Sequence, residues 1–163
     1  LADAESDEEA LLRELFDAFS EDSDSPLIGL TSPSAKVTGK ITRVTFNAAV
    51  RPALSSFATT TTSVIYPALR GYLQAFYRGL IGVDAREAMV SPTVFRAIFE
   101  VFPEVAQRVV DRSGTTFNED DFSVVLRTLF DRVKPTRFKA PPRSHKELAN
   151  ELSKALRAGF LIG

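Results

Sequence analysis

The chain has no cysteine and no tryptophan, and it carries one histidine and one methionine among 163 residues. Without cysteine it can form no disulfide, no thiolate metal site and no thiol nucleophile, a usage that fits a reducing compartment such as the cytoplasm. The lone His145 has no second histidine or cysteine with which to build a metal site. It follows a helix cap in a basic stretch, where a solvated histidine is the ordinary case. Glycine-rich phosphate loops are missing as well: neither GxGxxG nor GxxxxGK followed by Ser or Thr occurs. Apolar runs are only a few residues long, so no segment reads as membrane-spanning.

What the chain does have is phenylalanine, thirteen of them. Hydrophobic residues make up 44% and charged residues 25%, the proportions of a globular protein with a core. The length suits one domain. The chain starts at Leu1 rather than methionine and runs straight into an acidic helix, so it is expected to be a piece of a longer protein. A net charge of −1 conceals two opposite ends. Ten acids and one base, Arg13, lie between Leu1 and Asp24, whereas Arg132 to Lys146 holds six bases and no acid. Helix dipoles account for part of that polarity, and the remainder can set up opposite local fields.

Helical periodicity dominates. Ser6 and Glu9 form a capping box before Leu11, Leu12, Leu15, Phe16 and Phe19. A long connection follows, residues 21–40, kept extended by Pro26 and Pro33 and pinned to the core by Leu27, Ile28 and Leu30. Ile41, Val44 and Phe46 fit a short strand, but a helix capped by Thr45 and interrupted at Pro52 is the preferred reading. Ser63 opens a longer helix with Pro67 near its first turn, bracketed at its end by Gly79 and Gly82. Ser91-Pro92 caps the next, Pro103 divides it from a short successor, and Asn118 caps another. After a basic linker, residues 134–143, Ser144 and Glu147 box the last helix, which presents Leu148, Leu152, Leu156 and Phe160, with Gly159 near its end. The expectation is an all-α fold: six to seven short amphipathic helices in one compact orthogonal bundle spanning residues 1–163, with at most one short strand.

No pattern here carries catalysis, a metal or a cofactor. Glu119-Asp120-Asp121 suits a helix start and needs no acid–base role. Lys36 to Lys40 places two bases around Gly39 and reads as an exposed turn. Phe95, Phe99, Phe102, Phe122 and Phe130 recur at helical spacing and read as core before they read as a ligand pocket. The basic segment is the strongest non-structural signal. Arg132, Lys134, Arg137, Lys139, Arg143 and Lys146 surround Phe138, so they can meet phosphates while the ring stacks on a base. A solvated linker explains the same charges. No helix-turn-helix pattern supports sequence-specific readout. On the acidic helix, Glu8, Glu9 and Glu14 are candidates for docking a basic protein partner or a second copy of the chain.

The stretch Leu15-Phe16, Phe19, Asp24-Ser25-Pro26-Leu27, Gly29-Leu30-Thr31 and Ile41 to Asn47 resembles the DGQHR-domain family, which includes DndB-like proteins associated with DNA phosphorothioation. The words VFRAIFEVFPEV, starting at Val94, resemble that family's carboxy-terminal helix. The pentapeptide Asp-Gly-Gln-His-Arg that names the family is absent, and His145 is followed by Lys146. The resemblance therefore implies the helical carboxy-terminal half alone, in a bacterial DNA-modification, defence or transcription-control setting. It implies a module that packs, dimerises or contacts DNA, with no catalytic residue to carry over. The functional expectation is a non-catalytic, cytoplasmic, DNA-associated module, and its rival is a protein-interaction or dimerisation domain without nucleic acid.

Overall fold

Where apolar residues recur every three to four positions, the chain coils and turns that stripe inward. The computed structural model describes residues 5–114 and 116–158. Gly159 and Phe160, expected at the end of the last helix, lie outside the described residues. Helix α1 (Asp7–Glu21) starts on Ser6, whose hydroxyl accepts from the Glu9 amide, and buries Leu11, Leu12, Leu15, Phe16 and Phe19. Helices α2 (Arg43–Val50), α3 (Thr62–Gly82), α4 (Pro92–Glu100), α5 (Phe102–Ser113), α6 (Glu119–Arg132), α7 (Thr136–Lys139) and α8 (His145–Ala158) complete the α-helical set among the described residues. Two short 3₁₀ helices, Arg51–Ser56 and Arg86–Val90, join them. The fold is all-α, and its extra helix relative to expectation is α7, a single turn inside the basic linker. Among the described residues strand is confined to a two-residue parallel bridge between β1 (Thr31–Ser32) and β2 (Ile41–Thr42), with Thr31 opposite Ile41.

Residues 21–40 do not run extended throughout. A turn at residues 26–29 doubles the chain back, with Ser25 accepting from the Leu27 amide at 3.0 Å and Gly29 at a positive φ of 73°. That turn buries Leu27 and points Ile28 outward, 46% exposed, so Ile28 is no anchor. The Thr31 hydroxyl instead ties the connection to α1 by donating to Ser20 at 2.8 Å. The α2 cap is Thr42, not Thr45: the Thr42 hydroxyl accepts from the Thr45 amide at 3.1 Å. Ile41 is buried in the bridge just before it, so the helix begins as soon as the bridge ends. Pro52 ends α2 as its ring requires, converting the chain to 3₁₀ geometry. Pro67 lies deeper in α3 than a first-turn proline. It is exposed, as is Ser63, so the carbonyl it deprives of an N–H donor faces water.

Helix α3 is the central element. It packs along α6, while α4 lies between α2 and α8, and α5 and α8 also lean on α6. Its buried face includes Ile65, Leu69, Tyr72, Leu73, Phe76 and Leu80. The Tyr72 ring meets Phe76, Phe99, Phe102 and Phe122 edge-on, at centroid distances of 6.0, 5.9, 4.9 and 5.3 Å. Edge-to-face pairs of this kind add to the burial of the rings themselves. Burial pushes the Tyr72 phenol well above its ordinary pKa, and its hydroxyl donates to the Ile98 carbonyl at 2.5 Å. Phe95, Phe99, Phe102 and Phe122 are thus core, as their spacing predicts, and Phe130 packs against that core partly buried.

Two glycines of α3 differ sharply in their surroundings. A Cβ on Gly79 would lie 2.0 Å from the Phe130 ring, while a Cβ on Gly82 would meet nothing within 4 Å. Phe130 is held against Phe76 and Phe138, so it cannot yield without losing those contacts. Gly79→Ala is expected to lower stability by about 1–3 kcal/mol. Gly82→Ala should leave it unchanged or raise it by up to about 1 kcal/mol, from helix propensity. Urea unfolding of the two variants side by side checks the difference.

Candidate nucleic-acid interface

The basic segment is built as a corner. Arg132 closes α6, and Val133 turns inward as its C-cap and is buried. Pro135 then starts the single turn of α7, for which its fixed φ suits it. Within that turn Phe138 is 1% exposed. Its ring lies 5.6 Å from that of Phe130 and 6.3 Å from that of Phe76, centroid to centroid. Phe138 is therefore unavailable for stacking on a base, which corrects the expectation for this residue. Alternation along the segment sends Val133 and Phe138 into the core and leaves the charged residues outside.

Three of the predicted basic residues come together. Arg132, Lys134 and Arg137 line one surface depression of about 730 Å³ with Val133, Glu151, Lys154 and Ala155. Helix α8 supplies the last three, because its buried face of Leu148, Leu152 and Leu156 packs toward α4 and α6. Arg137 donates from Nε and Nη2 to the two Glu151 carboxylate oxygens, at 2.9 and 2.8 Å. The Glu151 hydrogen bonds are the leading cause raising the Arg137 pKa above its ordinary value. Arg132, Lys134 and Lys154 make no ion pair among the described residues.

The other candidates lie elsewhere. Lys139 pairs loosely with Asp84 at 3.7 Å, and Asp84 is fully exposed. Arg143 and Lys146 are exposed on either side of the α8 cap and do not line the depression. His145 is partly covered: burial first, then the nearby Arg96 charge, holds its pKa below the ordinary 6.5. On α1, Glu8 pairs with Arg51 at 2.7 Å and Glu14 accepts from the Thr62 hydroxyl, leaving Glu9 exposed. The acid run at α6 serves its helix start. Asn118 caps the Asp121 amide at 2.9 Å, and Glu119 pairs with Arg78 at 2.6 Å. Among the described residues no group of three or more His, Asp or Glu side chains is placed to hold a metal ion, and no helix is long and apolar enough to cross a membrane.

Lys154 and Glu151 escaped the sequence reading. They belong to a different helix from the basic segment, and only the packing of α8 on α6 brings them to it. No protein-family model, curated protein or solved structure matches this chain. The depression gathers Arg132, Lys134 and Lys154 around the Arg137–Glu151 pair. Phe138→Ala should behave as a core deletion, lowering stability by about 3–5 kcal/mol in urea unfolding. A loss within a few tenths of a kcal/mol would return the ring to the surface.

Proposed function

We propose that this domain is a non-catalytic module that holds the phosphate backbone of DNA in the depression between α6 and α8. One observation carries the reading: Arg132, Lys134 and Lys154 converge on one surface with no carboxylate paired to them among the described residues. Cations left unpaired are those that release counterions when phosphates replace the salt. The lining residues include no aromatic ring to stack on a base. Arginine and lysine serve phosphates and guanine edges alike; the reading here is of a backbone contact, which positions DNA without reading its sequence. The rival reading has the acidic helix dock on a protein through Glu8, Glu9 and Glu14, all three of them exposed. A cytoplasmic, bacterial DNA-modification, defence or transcription-control setting of the DGQHR kind belongs to the same proposal.

The binding is testable with a short labelled duplex. Affinity should fall steeply as salt rises, and replacing Arg132, Lys134 or Lys154 singly by alanine should each lower the slope of log K against log salt by about 0.9. Scrambled duplexes should bind equally. No binding at low salt, or slopes unchanged in all three variants, would refute the reading.

A further inference from the structure

The depression already holds one anion, and it is the protein's own. The Arg137 guanidinium grips the Glu151 carboxylate through two parallel hydrogen bonds, 2.9 and 2.8 Å, in the fork geometry that arginine also offers to phosphate. A phosphodiester presents two non-bridging oxygens to such a fork, as a carboxylate does. Both side chains of the pair remain about a third exposed, 35% and 36%, so an incoming group can reach them. An exposed pair of this kind adds little to stability, so it can be exchanged for another anion. Lys134 and Lys154 line the same depression and are free to share the charge of whatever replaces the carboxylate.

We infer that the Arg137 fork is the point at which a backbone phosphate docks, and that Glu151 holds its place until a phosphate displaces it. This rests on the reading of the depression as a DNA-backbone site. It makes Arg137, the one basic residue there that is internally paired, the residue that fixes the position of the phosphate, and Glu151 the residue that sets how tightly DNA must bind to enter. Glu147 serves as an internal control. It acts on Arg137 through charge alone and makes no hydrogen bond to it.

The test compares wild type, Glu151→Gln, Glu147→Gln and the double variant Arg137→Gln/Glu151→Gln by anisotropy of a labelled DNA duplex across a salt series. Thermal unfolding of each confirms that it is folded. Glu151→Gln should bind severalfold more tightly than wild type at a salt slope close to that of wild type, because Arg137 meets the phosphate in both and the variant has no carboxylate to displace. Glu147→Gln removes the same charge but should tighten binding far less, and the double variant should lose the gain together with one phosphate's share of the slope, about 0.9. If wild type binds and Glu151→Gln tightens no more than Glu147→Gln, or the double variant keeps the Glu151→Gln slope, the inference is wrong while the DNA reading stands. If none of the four binds at low salt, both are wrong.

Discussion

Tyr72 joins helices that are far apart in sequence. Its ring touches phenylalanines of α3, α4, α5 and α6, and its hydroxyl bonds the backbone of α4. A buried phenol needs a hydrogen-bond partner. Here the partner is a helix carbonyl, so satisfying the hydroxyl also fixes where α4 crosses α3. Phe76, one turn further along α3, continues the cluster to Phe130 and Phe138. The aromatic chain therefore runs from the middle of the core to the corner that carries the basic residues.

That continuity gives the surface its shape. Phe138 is drawn inward by the aromatic cluster, which coils Thr136–Lys139 into a helical turn and leaves Arg137 facing α8. On the far side Ser153 of α8 donates to Glu104 of α5 at 2.5 Å, and Arg108 also reaches Glu104, at 3.3 Å. Held at both sides, α8 brings Glu151 and Lys154 to the basic corner. A polar surface on a rigid frame loses less side-chain freedom on binding a partner than a fluctuating linker would.

Much of this was written locally. Ser6, Ser91, Asn118 and Ser144 each cap a helix through a hydroxyl or amide oxygen that the sequence places before an apolar stripe. Proline at residues 52, 92 and 103 marks boundaries for reasons that hold in any context. The failures share another cause. Thr42 and Thr45 are equally good caps by residue type, and only the bridge at Ile41 decides between them. Ile28 and Leu27 are adjacent apolar residues in a turn, so just one can face inward. Phe138 sits among charges, and its burial depends on Phe76 and Phe130, more than sixty residues away in one case and eight in the other. The basic character of the site was legible, whereas its carboxylate and its fourth cation were not, because no local pattern states which face of α8 meets α6.

The depression between α6 and α8 is the surface to which all of this leads, and NMR can locate it without altering a residue. Amide and arginine Nε shifts, followed as a short DNA duplex is titrated into the wild-type chain at low salt, should move at Arg132 to Arg137 and at Glu151 to Ala155. The amides of α1 should stay in place. Shifts centred on α1, or no shifts at all, would contradict the assignment.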